Sequence, residues 1–391
     1  MKRNIKNYIT LLIFFLLMAI ILFFAETTVL QHKVFEEPPV LVVNQGLGMG
    51  LDKVDGSLYA MNLLVADRTT GLFLKIAPEI LDELEEYPTM VISGNKDQWS
   101  MQAKEYDKEL ELLEFENSLT DSWEEGIYHV NVYFENGQQI EQDICFREMK
   151  NIKVLVVPIT TMYSGKLENI DTLDDNLADY TVKVYPLGKD DLEWIEYDDG
   201  VLFLEDETYD LDTAAGRFRI WKILSGMNSE EVYDLVLGIV PENMTPSRET
   251  DEESITGFTY GERVSVVSLE DTSPAVTIAH EIGHCYMLGD EYNNGTFELN
   301  SNMVPYGMSG REAGNLTNTV EGSSPYVVGG AADDKQGTGT VIYEGQYPFD
   351  VTNGMLIKRE MTSLMGLSGY QEEEYWTTTD IWQMMYRALA E

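Results

Sequence analysis

The sequence has few basic residues, few cysteines and few histidines, and each shortage limits the functions open to the chain. Only 26 Lys and Arg stand against 68 Asp and Glu, which gives a formal net charge of −42. Such a surface repels nucleic acid and anionic lipid, so we expect neither as a ligand. The two cysteines, Cys145 and Cys285, lie far apart in the sequence, and nothing in the sequence brings them together. None of the four histidines follows His284.

What the sequence does contain is enough apolar material for packed domains. Hydrophobic residues make up 44% of the 391 residues and aromatic residues 11%. This composition argues against global disorder, and the length favours two folded units.

The first 25 residues form a segment of a different character. The basic stretch "MKRNIKN" precedes the nearly unbroken apolar run "YITLLIFFLLMAIILFFA". A cationic flank followed by such a run is typical of a signal peptide or an N-terminal transmembrane anchor. Phe23 stands where a cleavage site has a small residue, which favours an uncleaved anchor. Both interpretations predict an extracellular or cell-surface protein that contacts the membrane through this segment only.

Residues 30–149 are predicted to form an all-β domain. Short apolar runs such as "PVLVVNQG", "GLFLKIAP" and "PTMVISGN" alternate with turn residues. In "GIYHVNVYFENGQQIEQDICF", two alternating runs flank Asn136-Gly137, which predicts a hairpin with a type I′ turn. About seven strands over this length favour an immunoglobulin-like sandwich. His129 lies in the hairpin without a ligand-spaced partner and is expected to be a surface residue of a strand.

The pattern changes near residue 150, and we predict a second domain over 150–391. "NIKVLVVPIT" and "YDLVLGIVP" are typical of buried strands, and "LDTAAGRFRIWKILSG" has apolar positions at helical spacing. "ITGFTYGERVSVVSL" predicts a strand or hairpin, and "TTTDIWQMMYRALAE" predicts a terminal helix. Residues 293–350 are rich in Gly, Asn, Ser and Thr, which indicates a long irregular insertion.

The stretch "SPAVTIAHEIGHCYMLGDEY" predicts a metal site on a helix. Ser273 can cap this helix and Pro274 suits its first position. His280 and His284 are four residues apart, so their side chains leave the same face and can chelate one zinc ion. Glu281 is placed to take a proton from a zinc-activated water, as the general base of a peptidase. The alternative is a plain helix with two surface histidines.

The third ligand must come from another residue type, because no histidine follows His284. Asp290 lies ten residues after His280, the offset of the last ligand in H-E-x-x-H-x-x-G-x-x-H, and Gly289 is expected to end the helix. Glu291 is the alternative, followed by a glutamate later in the chain. "DEY" as a solvent-exposed helix end also stays open. We also considered Cys145 as a thiolate lid on the metal, although free cysteines are usually small buried hydrophobic residues.

These features together resemble the metzincin zinc metallopeptidases. "SLMGLSGY" resembles their methionine turn, with Met365 as its methionine and Met308 in "YGMSG" as a rival. "HEIGH" followed by "LGDEY" is most similar to the bacterial immunoglobulin-A-cleaving metallopeptidases. Met287 stands where metzincins have the turn glycine, which leaves both Asp290 and Glu291 open as ligand.

The resemblance implies an α+β zincin-like catalytic domain, with a mixed sheet, an active-site helix and a C-terminal helix. It implies one catalytic zinc ion and a protein or peptide substrate. Zinc plus one further donor would stabilise the oxyanion, and Tyr370 or Tyr292 are candidates, although each is more often a packing residue. The edge strand "FTYGERVSVVS" could bind an extended peptide by strand addition.

Two other functions stay open. One is a surface-binding or adhesion protein with a structural or vestigial zinc site, and the other is a zinc hydrolase of a non-protein amide. Calcium at the acidic stretch "EDETYDLD" is a further possibility, but the stretch lacks the glycine-centred spacing of a calcium loop and so does not support it.

Overall fold

The computed structural model describes residues 38–49, 53–54, 57–58, 64–94, 97–115, 123–170, 173, 176–228, 232–244, 256–260, 263–271, 273–286, 288, 347–357, 361–365, 375–377 and 379–390. The predicted N-terminal segment 1–25 and nearly all of the predicted insertion 293–350 lie outside these residues. Within the residues given above, no helix has both the length and the apolar character needed to cross a bilayer.

The described part of the chain is an α+β protein dominated by mixed β-sheets, with few helices. Its strands are, in chain order, β1 (Val40–Asn44), β2 (Gly48–Met49), β3 (Lys53–Val54), β4 (Ser57–Leu58), β5 (Leu64–Val65), β6 (Gly71–Lys75), β7 (Thr89–Gly94), β8 (Asp97–Asp107), β9 (Leu112–Phe115), β10 (Gly126–Tyr133), β11 (Gln139–Arg147), β12 (Ile152–Tyr163), β13 (Lys166–Glu168), β14 (Leu192–Glu196), β15 (Leu202–Leu204), β16 (Leu235–Val240), β17 (Gly257–Thr259), β18 (Val264–Ser268), β19 (Phe349–Asp350), β20 (Met355–Leu356), β21 (Thr362–Ser363) and β22 (Tyr375–Trp376). Its α-helices are α1 (Pro78–Asp82), α2 (Asp179–Val184), α3 (Ala214–Met227), α4 (Pro274–Cys285) and α5 (Thr379–Leu389).

The chain divides into two compact units that are each built from separate stretches of sequence. Within the described part of the chain, the first unit draws its residues from 1–42, 72–118 and 128–143, and the second from 43–71, 119–127 and 144–391. The boundary predicted from the sequence, at residue 149/150, falls in the connection between β11 and β12. The second unit therefore also includes stretches that precede that boundary.

In the first unit the strands pair in the order β6-β9-β8-β7-β10, and every pairing in this series is antiparallel. The long strand β8 pairs with β7 along its first half and with β9 along its second half. A register shift between Ala103 and Glu105 separates the two halves, as expected where a β-bulge bends a strand. His129 is exposed on β10 beside Asp143, which confirms its predicted place on the surface of a strand.

The hairpin predicted at Asn136-Gly137 is present, but the type I′ turn is wrong. Gly137 has φ 83°, whereas Asn136 is not among the residues with positive φ. The Gly137 N–H donates to Phe134 O at 3.0 Å, and Phe134 N–H donates to Gln138 O at 3.0 Å. This is a type I turn followed by a left-handed glycine, so only the glycine carries the unusual backbone conformation.

The second unit is organised around a seven-stranded mixed sheet. Its main order is β13-β12-β16-β18-β17, and β14 and β15 also pair with β12. β12 runs parallel to β14, β15 and β16, and β16 runs parallel to β18, whereas β13 and β17 are antiparallel to their neighbours. β16 and β18 are buried at every position, as predicted for the first of them. The predicted hairpin before the metal helix is confirmed as β17 and β18.

Helices α3 and α4 contact this sheet. Helix α3 begins after Thr213, whose hydroxyl accepts from Gly216 N–H at 2.9 Å, and ends one residue beyond the predicted Gly226. Its buried face, which includes Leu224, packs on β12, β16 and β18 in one hydrophobic core. Helix α4 contacts β17 and β18, and helix α2 packs against α4.

A buried arginine holds the end of helix α2. Arg68 is only 2% exposed, and its guanidinium donates four hydrogen bonds of 2.6–2.8 Å to main-chain carbonyls. The acceptors are the carbonyl oxygens of Gln45, Val182, Lys183 and Leu187. Carbonyls in the last turn of a helix lack partners within the helix, so a cation with several donors is a suitable cap.

The acidic stretch at residues 205–212 has structural roles. Asp206 caps a 3₁₀ turn (Glu207–Tyr209) by accepting from Thr208 N–H, which lowers its pKa. Asp210 accepts from the N–H groups of Ser164 and Gly165 and so ties two loops together.

Candidate metal centre

Helix α4 carries the predicted metal motif. It begins at Pro274 with Ser273 in the N-cap position, as predicted, but the Ser273 side chain makes no capping hydrogen bond. The hydroxyl of Thr277 in the first turn instead donates to the Asp271 carboxylate. The helix ends at Cys285 and not at Gly289, because the N–H groups of Tyr286 and Leu288 both return to the carbonyl of Gly283.

The three motif side chains lie together. His280, Glu281 and His284 each offer a ligand atom, and these atoms all lie within 4.8 Å of one another. The two imidazole rings are 4.6 Å apart and nearly perpendicular, at 89°. Among the described residues, no other group of three or more His, Cys, Asp and Glu side chains is close enough to hold a metal ion.

Both imidazoles are oriented by main-chain carbonyls. Nδ1 of His280 lies 2.9 Å from Leu364 O, and Nδ1 of His284 lies 2.8 Å from Leu288 O. A carbonyl only accepts, so Nδ1 carries the proton in both rings and Nε2 is the nitrogen suited to ligate a metal. Such a partner on the second ring nitrogen is the usual support of a metal-binding histidine.

The helix turn between the two histidines is tightly packed at Gly283. A methyl group on Gly283 would lie 2.6 Å from Tyr185 Oη, 3.0 Å from Leu288 Cδ1 and 3.0 Å from Met365 Sδ. Met365 is fully buried, and its Sδ approaches Gly283. The residue predicted for the methionine turn therefore lies against the metal helix. The Tyr185 hydroxyl donates to Ala279 O at 2.7 Å, and burial raises the pKa of Tyr185 well above its usual value.

Glu281 is held from the side of the sheet. Its Oε2 accepts a hydrogen bond of 2.6 Å from the Thr259 hydroxyl on β17. Thr259 Oγ1 also lies 2.7 Å from Ser265 Oγ on β18, and Ser265 Oγ lies 3.1 Å from Cys285 Sγ. Glu281 is 5% exposed, Thr259 3% and Ser265 2%, so this is a buried polar network.

The two cysteines have separate environments. Both are free and half-buried. Burial raises the pKa of the Cys285 thiol to about 12, so the group is a neutral thiol at physiological pH. Cys145, considered above as a thiolate lid, belongs to no metal-binding group among the described residues.

Several predicted site residues lie outside the described part of the chain. These are the third-ligand candidates Asp290 and Glu291, the oxyanion candidates Tyr292 and Tyr370, and the rival methionine Met308. Gly289 also lies outside, although the end of α4 at Cys285 already shows that the helix does not extend to it.

The residues that support the motif do not stand out in the sequence. Tyr185, Thr259, Ser265 and the carbonyl of Leu364 were not singled out, although β17 and β18 were. One sequence feature could have identified the hydroxyls: Thr259 and Ser265 are small polar residues in short, mostly apolar strands just before the metal helix. The carbonyl of Leu364 could not have been identified in this way, because every residue has a main-chain carbonyl.

Comparisons with known proteins do not identify the chain. No family model matches it, and neither does any curated protein. A solved structure described as a chaperone-substrate complex is similar at 10% identity and a TM-score of 0.22, over 49% of this chain and 32% of that one. The chitinase ChiW from Paenibacillus sp. str. FPU-7 is similar at 12% identity and a TM-score of 0.17, over 54% of this chain and 17% of that one. This chain thus spans about a third or less of either protein, and scores this low carry no argument about fold or function.

Proposed function

We propose that this protein is an extracytoplasmic zinc-dependent endopeptidase with a zincin-like catalytic domain of the metzincin type. The observation that carries the proposal is the cluster of His280, Glu281 and His284, with each imidazole oriented by a main-chain carbonyl. Two imidazoles and a carboxylate suit a catalytic zinc site better than a structural one, because a structural site needs no base.

The arrangement of the cluster supports separate roles for its members. Nε2 of His280 and Nε2 of His284 would hold the zinc ion. Bound zinc supplies Lewis-acid polarisation of a carbonyl and makes a water molecule more acidic. Glu281 is the general base: it accepts a proton from the attacking water and returns it to the leaving amine. Asp290 is proposed as the third ligand, with Glu291 as the alternative, and Tyr370 or Tyr292 as the further oxyanion donor.

The sheet suggests how a peptide would bind. Strand β17 comes last in the sheet order among the described residues, and it contacts helix α4. An extended peptide could add to its outer edge by main-chain hydrogen bonds, which would pass a peptide bond close to Glu281. We propose in addition that the N-terminal strands form an immunoglobulin-like sandwich and that residues 1–25 direct export or anchor the chain.

The experiment compares the full-length protein with its Glu281→Ala and His284→Ala variants. Each is incubated with casein and with a mixed peptide library, and new amino termini are counted with and without a zinc chelator. Bound zinc is measured in the same samples. We expect cleavage by wild type only, its loss on chelation, and about one zinc per chain in wild type and Glu281→Ala but not in His284→Ala.

Two results would redirect the proposal. Equal cleavage by Glu281→Ala and wild type would end it. Bound zinc without cleavage of any protein or peptide would favour the other candidates. Incubation with a cross-linked cell-wall peptide would then separate hydrolysis of a non-protein amide from a surface-binding role. Loss of zinc in Asp290→Ala, with zinc retained in Glu291→Ala, would identify the third ligand.

A further inference from the structure

We propose that Thr259 and Gly257 of strand β17 position the Glu281 carboxylate, Thr259 by a hydrogen bond and Gly257 by leaving room for it. Both are positioning residues, since they act through Glu281. The proposal rests on the endopeptidase function argued above and extends it to the sheet.

The hydrogen bonds in the buried network have a defined direction. Thr259 has one hydroxyl proton and two nearby acceptors on Glu281: Oε2 at 2.6 Å and the main-chain O at 3.3 Å. A carboxylate is the stronger acceptor, so the shorter bond takes the proton. Ser265 also has one proton and two nearby acceptors, Thr259 Oγ1 at 2.7 Å and Glu281 main-chain O at 3.2 Å, and the shorter contact takes the proton. The Cys285 thiol, 3.1 Å from Ser265 Oγ, is then the donor to Ser265. Each hydroxyl therefore receives one hydrogen bond and gives one, ending on Oε2.

Gly257 contributes by having no side chain. A methyl group at this position would lie 2.7 Å from Glu281 Oε1, 2.9 Å from Glu281 Cγ and 2.9 Å from Thr277 Cγ2. Thr277 is held in turn by its bond to Asp271, so it cannot easily give way. The strand and the carboxylate therefore meet at a distance that only glycine permits.

The same strand therefore bonds one oxygen of the carboxylate and leaves room for the other. Oε2 accepts from Thr259, and Oε1 lies over Gly257. Reaction rates depend steeply on such placement, since an error of about 1 Å in a reacting group costs about 100-fold in rate. Because neither residue contributes a metal ligand, their loss should change turnover while zinc binding is kept.

The main test uses the full-length protein and a peptide that wild type cleaves. We expect Thr259→Val to lower kcat about 10-fold or more, with KM changed less than about twofold and zinc content unchanged. Thr259→Ser keeps the hydroxyl and should restore kcat to within about threefold of wild type. Gly257→Ala should lower kcat in the same manner as Thr259→Val.

Matched controls come from the same unit. Thr161→Val removes an equally buried hydroxyl from β12, where it donates to Tyr209 O at 3.0 Å. Gly226→Ala adds a methyl group to α3 with no atom within 4 Å. Both should keep the kcat of wild type. If Thr259→Val also keeps it, or if Thr259→Ser is as slow as Thr259→Val, the positioning role is refuted and the endopeptidase function stands.

A second measurement does not depend on activity. In the zinc-free protein, melting temperatures are compared for wild type, Thr259→Val, Glu281→Ala and the double variant. We expect Thr259→Val to lower the melting temperature in the wild-type background and to have a clearly smaller effect when Glu281 is already Ala. Additive shifts would show that the two residues are not coupled and would overturn the inference. Absence of chelator-sensitive cleavage in wild type would instead count against the proposed function.

Discussion

Replacing Arg68 tests how the second unit supports its metal helix. In Arg68→Met the aliphatic stem is kept, but the four hydrogen bonds to main-chain carbonyls are lost. A buried group that loses its partner typically costs about 1–3 kcal/mol. The change also removes a charge whose burial is unfavourable: burial lowers the pKa of Arg68 to about 9, although the group stays a cation at neutral pH.

The two effects together predict a large loss of folding stability. Four unsatisfied carbonyls would cost about 4 kcal/mol even at the lower limit of that range, and relief of the buried charge offsets part of it. We therefore expect Arg68→Met to lower the free energy of unfolding by about 3–5 kcal/mol, a sizeable share of the 5–15 kcal/mol of a typical domain. Arg68→Lys should recover little, because a compact ammonium group has three donors and cannot bond to all four carbonyls.

The assay is urea unfolding of the full-length protein, followed by tryptophan fluorescence, because Arg68 lies 5.1 Å from the ring of Trp382. Arg387→Met is the matched control: Arg387 is exposed in the last turn of α5, so its loss should change stability by less than about 0.5 kcal/mol. If the free energy of unfolding of Arg68→Met lies within about 1 kcal/mol of the wild-type value, the four carbonyls find other partners and the reasoning is refuted.

Two further predictions concern other contacts of the second unit. Burial raises the pKa of Asp234, but the ammonium of Lys150 and the main-chain N–H of Lys153 outweigh burial, so the pKa is lower than that of an ordinary aspartate. Asp234→Asn should therefore cost about 1 kcal/mol at neutral pH, and in urea titrations the difference should fade as pH drops through that lowered pKa. Gly283→Ala should destabilise by about 1–3 kcal/mol through contact with Tyr185, and also weaken zinc binding, whereas Gly226→Ala should be neutral or stabilising in thermal melts. A melt of Gly283→Ala equal to that of Gly226→Ala would contradict the packing argument.

Local patterns predicted much of the fold. The buried strands β12 and β16, helix α3 and the hairpin of β17 and β18 were predicted because hydrophobic periodicity and turn residues act over a few neighbouring residues. The H-E-x-x-H motif was recognised for the same reason, since its two histidines share one helical turn. The turn at Asn136 was mistaken because a type I turn with a following glycine uses the same dipeptide.

Long-range contacts were not predictable in this way. Leu364 O reaches His280 across 84 residues, and Arg68 reaches Lys183 across 115. Neither contact follows from local periodicity. Every residue has a main-chain carbonyl, so the sequence does not show which one will bind a histidine. A buried arginine and a surface arginine also look the same in a sequence. The assignment of residues 43–71 to the second unit depends on contacts of this kind.

One small contact, at Gly46, has a consequence for how the protein is made. The Gly46 carbonyl accepts from Phe349 N–H at 2.9 Å and from Trp376 Nε1 at 2.7 Å, a separation of 330 residues in the second case. At a synthesis rate of about 5–20 residues per second, Trp376 is made roughly 20–60 seconds after Gly46. Residues 43–71 can form their own contacts, such as those of Gln45 with Val65 and Thr70, but the Gly46 carbonyl lacks these two partners for that time. We therefore expect the second unit to complete its folding only after Trp376 has left the ribosome, and a fragment that begins at residue 150 to fold poorly.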